Sequence, residues 1–176
     1  INAFNYDFEK LAMQGVTGVS TIITHLVVPG WRTNTDWGTM FFSESINSIG
    51  SQSYSGGQHL QITADGEEEW DPTDPNIKGL YKDMDTSEAT EVDYSFASGS
   101  RAGGSAIQLY AGPVSGPFEL VIEDFTNEIQ WKFISGTYNV PVGQTKTRFI
   151  FRPKENAIGH IIDAANFKIP TEISKR

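Results

Sequence analysis

Apolar and polar residues alternate with a period of two in short runs along the chain, and clusters of Gly, Pro, Asn, Asp and Ser separate the runs. That texture predicts strands joined by turns. The clearest run covers residues 91–98, where Val92, Tyr94 and Phe96 face one way and Glu91, Asp93 and Ser95 the other. In 106–110, Ile107 and Leu109 oppose Gln108 and Tyr110. Phe118, Leu120 and Ile122 then alternate with Glu119, Val121 and Glu123, and Ile129, Trp131 and Phe133 with Gln130 and Lys132. Residues 145–152 place Phe149 and Phe151 opposite Arg148, Ile150 and Arg152, and a last strand covers 161–169. Weaker runs predict earlier strands near 5–10, 20–28, 39–46, 58–63 and 79–85; only 8–14 has helical flavour.

Turn chemistry is explicit at Arg101-Ala102-Gly103-Gly104 and Val140-Pro141-Val142-Gly143, and residues 112–117 make a longer Gly/Pro loop. Residues 64–76 carry Asp65, Glu67, Glu68, Glu69, Asp71 and Asp74 without strand periodicity, which predicts an acidic surface loop. With no internal repeat and no long linker, residues 1–176 read as a single all-β domain: a two-sheet antiparallel sandwich of jelly-roll type.

The 176 residues suffice for a proper core. The absence of cysteine excludes disulfides, thiol nucleophiles and zinc–thiolate sites, and leaves the compartment open. The net charge of −9 opposes nucleic acid and favours calcium or a neutral or basic ligand. The most apolar stretch, 16–31, is broken by Thr17, Gly18, Ser20, Thr21, Thr24, His25 and Pro29, so it does not predict a membrane span. No leader pattern opens the sequence, and Ser174-Lys175-Arg176 reads as a possible linker start, which suggests a piece of a longer chain.

Trp31, Trp37, Trp70 and Tyr54 fall in predicted loops or strand ends. Exposed aromatic rings stack on the apolar face of a sugar, so these are candidate platforms; a loop Trp that caps the core is the alternative, strongest for Trp31. Trp131 alternates with core positions and reads as core. Sugar hydroxyls also need carboxylates, amides and Arg, which points to Glu44, Gln61 and Arg101, with His59 two residues before Gln61 on its strand. His25, His59 and His160 lack metal-ligand spacing. Asp163 sits in a strand whose register places it with Ala165, Phe167 and Ile169, so its carboxylate needs a partner. A calcium ion shared with Glu9 and Asp7 is one candidate; an Arg or backbone N–H groups are the others. The 65–74 loop lacks the EF-hand spacing and reads as a solvated surface.

Segments in order along most of the chain resemble the galactose-binding-like jelly rolls of bacterial surface adhesins and carbohydrate-binding modules. They are Asn5-Tyr6-Asp7-Phe8-Glu9, Val28-Pro29-Gly30-Trp31, Gly57-Gln58-His59-Leu60-Gln61-Ile62, and Leu80-Tyr81-Lys82-Asp83-Met84-Asp85-Thr86. Tyr94-Ser95-Phe96 with Arg101, Gly136-Thr137-Tyr138-Asn139-Val140-Pro141, Thr147-Arg148-Phe149-Ile150-Phe151, and Ile161-Ile162-Asp163-Ala164-Ala165-Asn166-Phe167 complete the set. The family pattern usually has an acid where Gln61 stands and Asn where Ala164 stands. The resemblance implies ligand binding by a sheet face or a loop rim, with Glu44, Gln61 and Arg101 clustered on one face. It also implies a structural calcium where the first and last strands meet, and a place in a larger secreted or cell-surface bacterial protein. A Glu–Arg pair with no ligand is the alternative for that cluster.

Catalysis has little support. Glycoside hydrolysis needs two carboxylates across a cleft, and spacing selects no pair; Glu44 with Glu119 or Glu123 is conceivable. Gly99-Ser100-Arg101-Ala102-Gly103 is not a nucleophile elbow, and no Lys follows a Gly as a phosphate loop requires. The expected function is therefore non-catalytic binding of a carbohydrate. A protein- or peptide-binding adhesin domain is the alternative, ahead of a carbohydrate-active enzyme.

Overall fold

A computed structural model describes residues 2–6, 20–23, 32–33, 39–43, 58–62, 79–100, 104–126, 130–154 and 160–170, the segments before residue 79 as backbone only. The strands are β1 (Asn2–Tyr6), β2 (Ser20–Ile23), β3 (Arg32–Thr33), β4 (Thr39–Ser43), β5 (Gln58–Ile62) and β6 (Leu80–Asp85). They continue with β7 (Glu91–Ser100), β8 (Ser105–Pro113), β9 (Glu119–Thr126), β10 (Lys132–Asn139), β11 (Lys146–Pro153) and β12 (His160–Lys168). Seven form one sheet, ordered β10-β7-β12-β5-β4-β2, with β1 also paired to β12. Five form the other, ordered β3-β6-β11-β8-β9. The paired strands run antiparallel, and no helix occurs among the described residues, so the fold is the expected all-β jelly-roll sandwich.

Period-two burial builds the core. Val92, Tyr94 and Phe96 on β7 meet Phe149 and Phe151 on β11, Ile107 and Leu109 on β8, and Phe167 on β12. Phe149 and Phe167 lie 4.5 Å apart between ring centres, and Phe96 meets Phe151 edge-on at 5.0 Å. Removing any one of these four rings costs about 3–5 kcal/mol. One inward position of β6 is not apolar. Lys82 lies between Leu80 and Met84 with 3 % of its surface exposed, and burial lowers its ammonium pKa to about 7.

Both ends of the core are polar. At one, Thr86 Oγ1 lies 2.9 Å from Thr147 Oγ1, which accepts from Gln144 Nε2 at 2.7 Å. At the other, the fully buried His160 stands between Ser105 and Ser98, each hydroxyl 2.8 Å from one ring nitrogen. Ser98 Oγ donates to Asp124 Oδ2 at 3.4 Å, and Asp124 pairs with Lys132 at 2.6 Å. The Nε2–H tautomer satisfies this chain: Ser105 donates to Nδ1, Nε2–H donates to Ser98, and Ser98 donates to Asp124. Burial, helped by the nearby Lys132 charge, lowers the His160 pKa to about 3.

Three expectations are corrected, and one strand, β3, is additional to those expected. The strand read at 129–133 starts at Lys132 and runs on, with Ile134 opposite Phe96 and Tyr138 opposite Val92. Phe133 is consequently 54 % exposed, and Trp131 is half-buried beside Gly99 on the outer side, because packing against β7 overrides the local alternation. In β9 the register slips between Leu109–Ile122 and Tyr110–Leu120. The extra residue turns Leu120 outward, 47 % exposed, while Ile122 packs on the core. In β12 a bulge between Asp163 and Asn166, with Ala164 at φ +49°, separates Asp163 from Ala165 and Phe167. Asp163 still has no exposed surface, but it lies on the opposite face from Ala165 and Phe167, next to Ile161 and Ala97. Finally, β3 is too short to show any periodicity.

Candidate sugar-binding face

In a two-layer sandwich the outer side of a sheet is usually polar. The outer side of the five-stranded sheet instead carries three rungs of different chemistry across β6, β11, β8 and β9. Asp83 pairs with Arg148 in the first, and the second joins Tyr81, Ile150, Tyr110 and Leu120. Arg152, Gln108 and Glu123 form the third. An apolar strip thus lies between two polar rows. Four strands at ~4.8 Å spacing make it roughly 14 Å long.

Local packing shapes the strip. The 113–118 connection folds back over β8 so that Phe118 packs on Tyr110 and Ile150, which are all but fully buried. A Cβ on Gly112 would meet the Pro117 carbonyl oxygen at 2.5 Å, so the glycine permits this close approach. Tyr81 packs against the same cluster but remains partly exposed, as do Arg148 and Asp83.

The polar rows are held in place. Arg148 Nε donates to Asp83 Oδ1 at 2.7 Å and Nη2 to Oδ2 at 3.0 Å, a two-point fork. The hydrogen bonds that it donates to Asp83 raise the guanidinium pKa further, against the opposing effect of burial. On the other row, Gln108 Nε2 donates to Glu123 Oε2 at 2.7 Å and Lys154 Nζ to Oε1 at 2.9 Å. The hydrogen bonds from Lys154 and Gln108 hold the Glu123 carboxyl below its usual range, so it stays an ionised acceptor. A general acid needs the opposite shift. The face can hold planar, oriented donors and acceptors beside an apolar surface, which suits a sugar ring with its hydroxyl edge.

The Ser98–His160–Ser105 cluster has nucleophile-type residues, but Ser98 and His160 have no exposed surface and Ser105 has 3 %. A substrate cannot reach it, and it acts as a polar staple between the sheets.

Most of the residues singled out from sequence lie outside the described residues: Trp31, Trp37, Glu44, Tyr54, Trp70, Arg101, Asp7 and Glu9. The acidic stretch 64–76 and the helical candidate 8–14 do too. His59 and Gln61 lie on β5 of the seven-stranded sheet, where Gln61 pairs with Met40 and Ile161 and His59 with Phe42. They are therefore on the sheet opposite the rungs. Sequence reasoning missed Tyr81, Asp83 and Arg148; the available signal was an Arg and an acid at outward positions of two strands. Asn166 was missed as well. Its Oδ1 is buried with no hydrogen bond among the described residues, one outward position from Asp163.

No protein-family profile matches the sequence, and neither does any curated protein. Solved structures share the fold. The C-terminal family 22 carbohydrate-binding module of Clostridium thermocellum Xyn10B aligns with a TM-score of 0.65 at 12% identity, covering 96% of this chain and 94% of that one. TmCBM61, solved with β-1,4-galactotriose, aligns at 0.54 with 14% identity over 81% and 90%. The K2 cleaved adhesin domain of Lys-gingipain aligns at 0.54 with 16% identity over 95% and 98%. The fold is thus that of the galactose-binding-like jelly rolls anticipated from the sequence.

Proposed function

We propose that this chain is a non-catalytic carbohydrate-binding module that takes a neutral glycan on the outer face of its five-stranded sheet. The observation that carries this reading is the partly exposed Tyr81 and the exposed Leu120, flanking Tyr110 and Ile150 beneath Phe118, set between the Asp83–Arg148 fork and the Gln108–Glu123 pair. Contact with the Arg148–Tyr81 stack and hydrogen bonding to the fixed rows would together recognise one face and one edge of a sugar. The likeness to modules that bind sugars supports it. Glu44, Gln61, Arg101, His59, Tyr54, Trp31, Trp37 and Trp70 remain proposed as further ligand contacts. The same reading makes the chain part of a larger secreted or surface-attached bacterial protein, without nucleic acid or inserted membrane as partner. The test is an array of immobilised polysaccharides and oligosaccharides, on which saturable binding is expected and a flat response contradicts the reading.

A protein-binding adhesin domain is the second reading, favoured by the likeness to the Lys-gingipain adhesin domain. It calls for capture of a protein partner that weakens with salt and is indifferent to free sugars.

We also propose a structural calcium beside β1 and β12. Asp163 is buried there and the orphaned Asn166 Oδ1 adds a second oxygen; Asp7 follows in sequence on Tyr6, which pairs with Ala165. The donors suit a hard cation. Asp163 Oδ1 also accepts the Ala164 N–H at 2.7 Å. Among the described residues no three carboxylate or imidazole groups gather, so Asp7 and Glu9 would complete the set. A rise in melting temperature with added calcium, reversed by chelator and lost in Asp163→Asn, is expected; unchanged melting contradicts it.

A further inference from the structure

A concave site lies away from the rungs, at the rim where the β6–β7 and β10–β11 connections meet. The cleft has a volume of about 310 Å³, near the lower end of the roughly 300–1,000 Å³ typical of small-molecule sites. Glu88, Thr90, Thr145 and Gln144 supply polar groups to its lining, and Val140 and Val142 an apolar wall. Four backbone hydrogen bonds brace it: Thr86 N–H to Thr145 O and Val140 N–H to Thr90 O at 2.9 Å, and Ala89 N–H to Thr86 O and Gln144 N–H to Pro141 O at 3.0 Å. The amide of Gln144 is oriented too, because its Nε2 donates to Tyr138 Oη at 3.2 Å and to Thr147 Oγ1 at 2.7 Å, which leaves its Oε1 as an acceptor. A braced cleft loses little entropy when it fills.

The lining defines the ligand chemistry. Among the described residues Glu88 is the one charged side chain of the lining, and it repels phosphate, sulfate and uronate. The remaining polar groups are hydroxyls, an amide and peptide groups, which offer donors as well as acceptors. A cation would need acceptors only. Val142 projects fully exposed from its turn beside Gly143 at φ +87°, and can cover the apolar face of a small ring.

We propose that this rim cleft is a second subsite, which takes the terminal residue of a neutral saccharide while the sheet face takes the body of a chain. The inference rests on the carbohydrate-binding reading and adds a place and a specificity to it. The experiment is an amide-resolved NMR titration of the full 176-residue chain with β-1,4-galactotriose, with a β-1,4-linked xylose hexamer and with methyl β-galactoside. Signals of residues 86–90 and 140–145 are expected to shift with at least one of the three. They should still shift in Arg148→Ala, and weaken at least fivefold in apparent affinity in both Glu88→Gln and Val142→Asp, two exposed positions whose replacement leaves the core intact. Shifts at β6, β11 and β8 with a silent rim overturn the inference and leave the sheet-face reading standing. Rim shifts that Glu88→Gln and Val142→Asp do not weaken overturn it as well. Silence at both places with all three sugars overturns both.

Discussion

Arg148 lies over the ring of Tyr81 with its guanidinium carbon 4.0 Å from the ring centre, while two of its nitrogens fork onto Asp83. One side chain thus fixes both the aromatic and the acidic edge of the proposed binding face. Lysine has the charge but neither the planar fork nor the flat stack. Arg148→Lys should therefore lose about 1 kcal/mol of stability in urea unfolding, close to the loss in Arg148→Ala. A lysine variant as stable as the parent would mean that the pair is not organised as described.

Acid should weaken the fold before the carboxylates titrate. His160 is held neutral, with its pKa lowered from an unfolded value near 6.5 to about 3. A buried histidine of this kind contributes fully above pH 6.5, and its contribution falls as pH drops from 6.5 towards 3, because the unfolded chain takes up the proton first. Between pH 7 and 4.5 the loss should be about 2–3 kcal/mol, read from urea midpoints. In His160→Gln the same pH change should have little effect on an already weaker fold. An unchanged pH slope in that variant would show that His160 is not the titrating group.

Lys82 is a second titration marker. Burial between Leu80 and Met84 lowers its pKa to about 7, so the folded state favours the neutral amine. Stability from this residue is full above pH 10.5 and declines as pH falls from there to 7. After reductive methylation with carbon-13 formaldehyde, one lysine signal should titrate near neutrality, and Lys82→Arg should remove it. If every lysine signal titrates near 10.5, Lys82 is solvated.

The bulge in β12 places Ala164 in the left-handed region, where an alanine costs roughly 1–2 kcal/mol that glycine avoids. Ala164→Gly should raise the unfolding free energy by about 1 kcal/mol, and Ala164→Asn by less, without altering the m-value. A destabilised glycine variant would contradict the bulge geometry.

The fold was legible in the sequence wherever alternation and packing agree. Val92, Tyr94 and Phe96, and likewise Phe149 and Phe151, are inward in both. Legibility failed at insertions that a period of two cannot register. The extra residue beside Leu120 and the bulge after Asp163 each turn the following side chains over, and neither carries a glycine as a signal. It failed again at Ile129, Trp131 and Phe133, whose local pattern is out of phase with the pairing of Ile134 and Tyr138 against β7. The proposed site was less legible than the fold. Asp83 lies 65 residues before Arg148, with Tyr81 earlier still, and only the β6–β11 register brings them together. A loop Trp reads as a sugar platform, whereas a Tyr in a strand reads as ordinary sheet.

The most direct test is isothermal titration of the polysaccharide identified on the array into the parent protein, Tyr81→Ala and Arg148→Ala, each checked for native near-ultraviolet dichroism. Binding to the outer face of the five-stranded sheet predicts at least a tenfold loss of affinity in both variants, with the glycan recovered chemically unchanged. Parent-like affinity in both folded variants, or a shortened glycan, would contradict it.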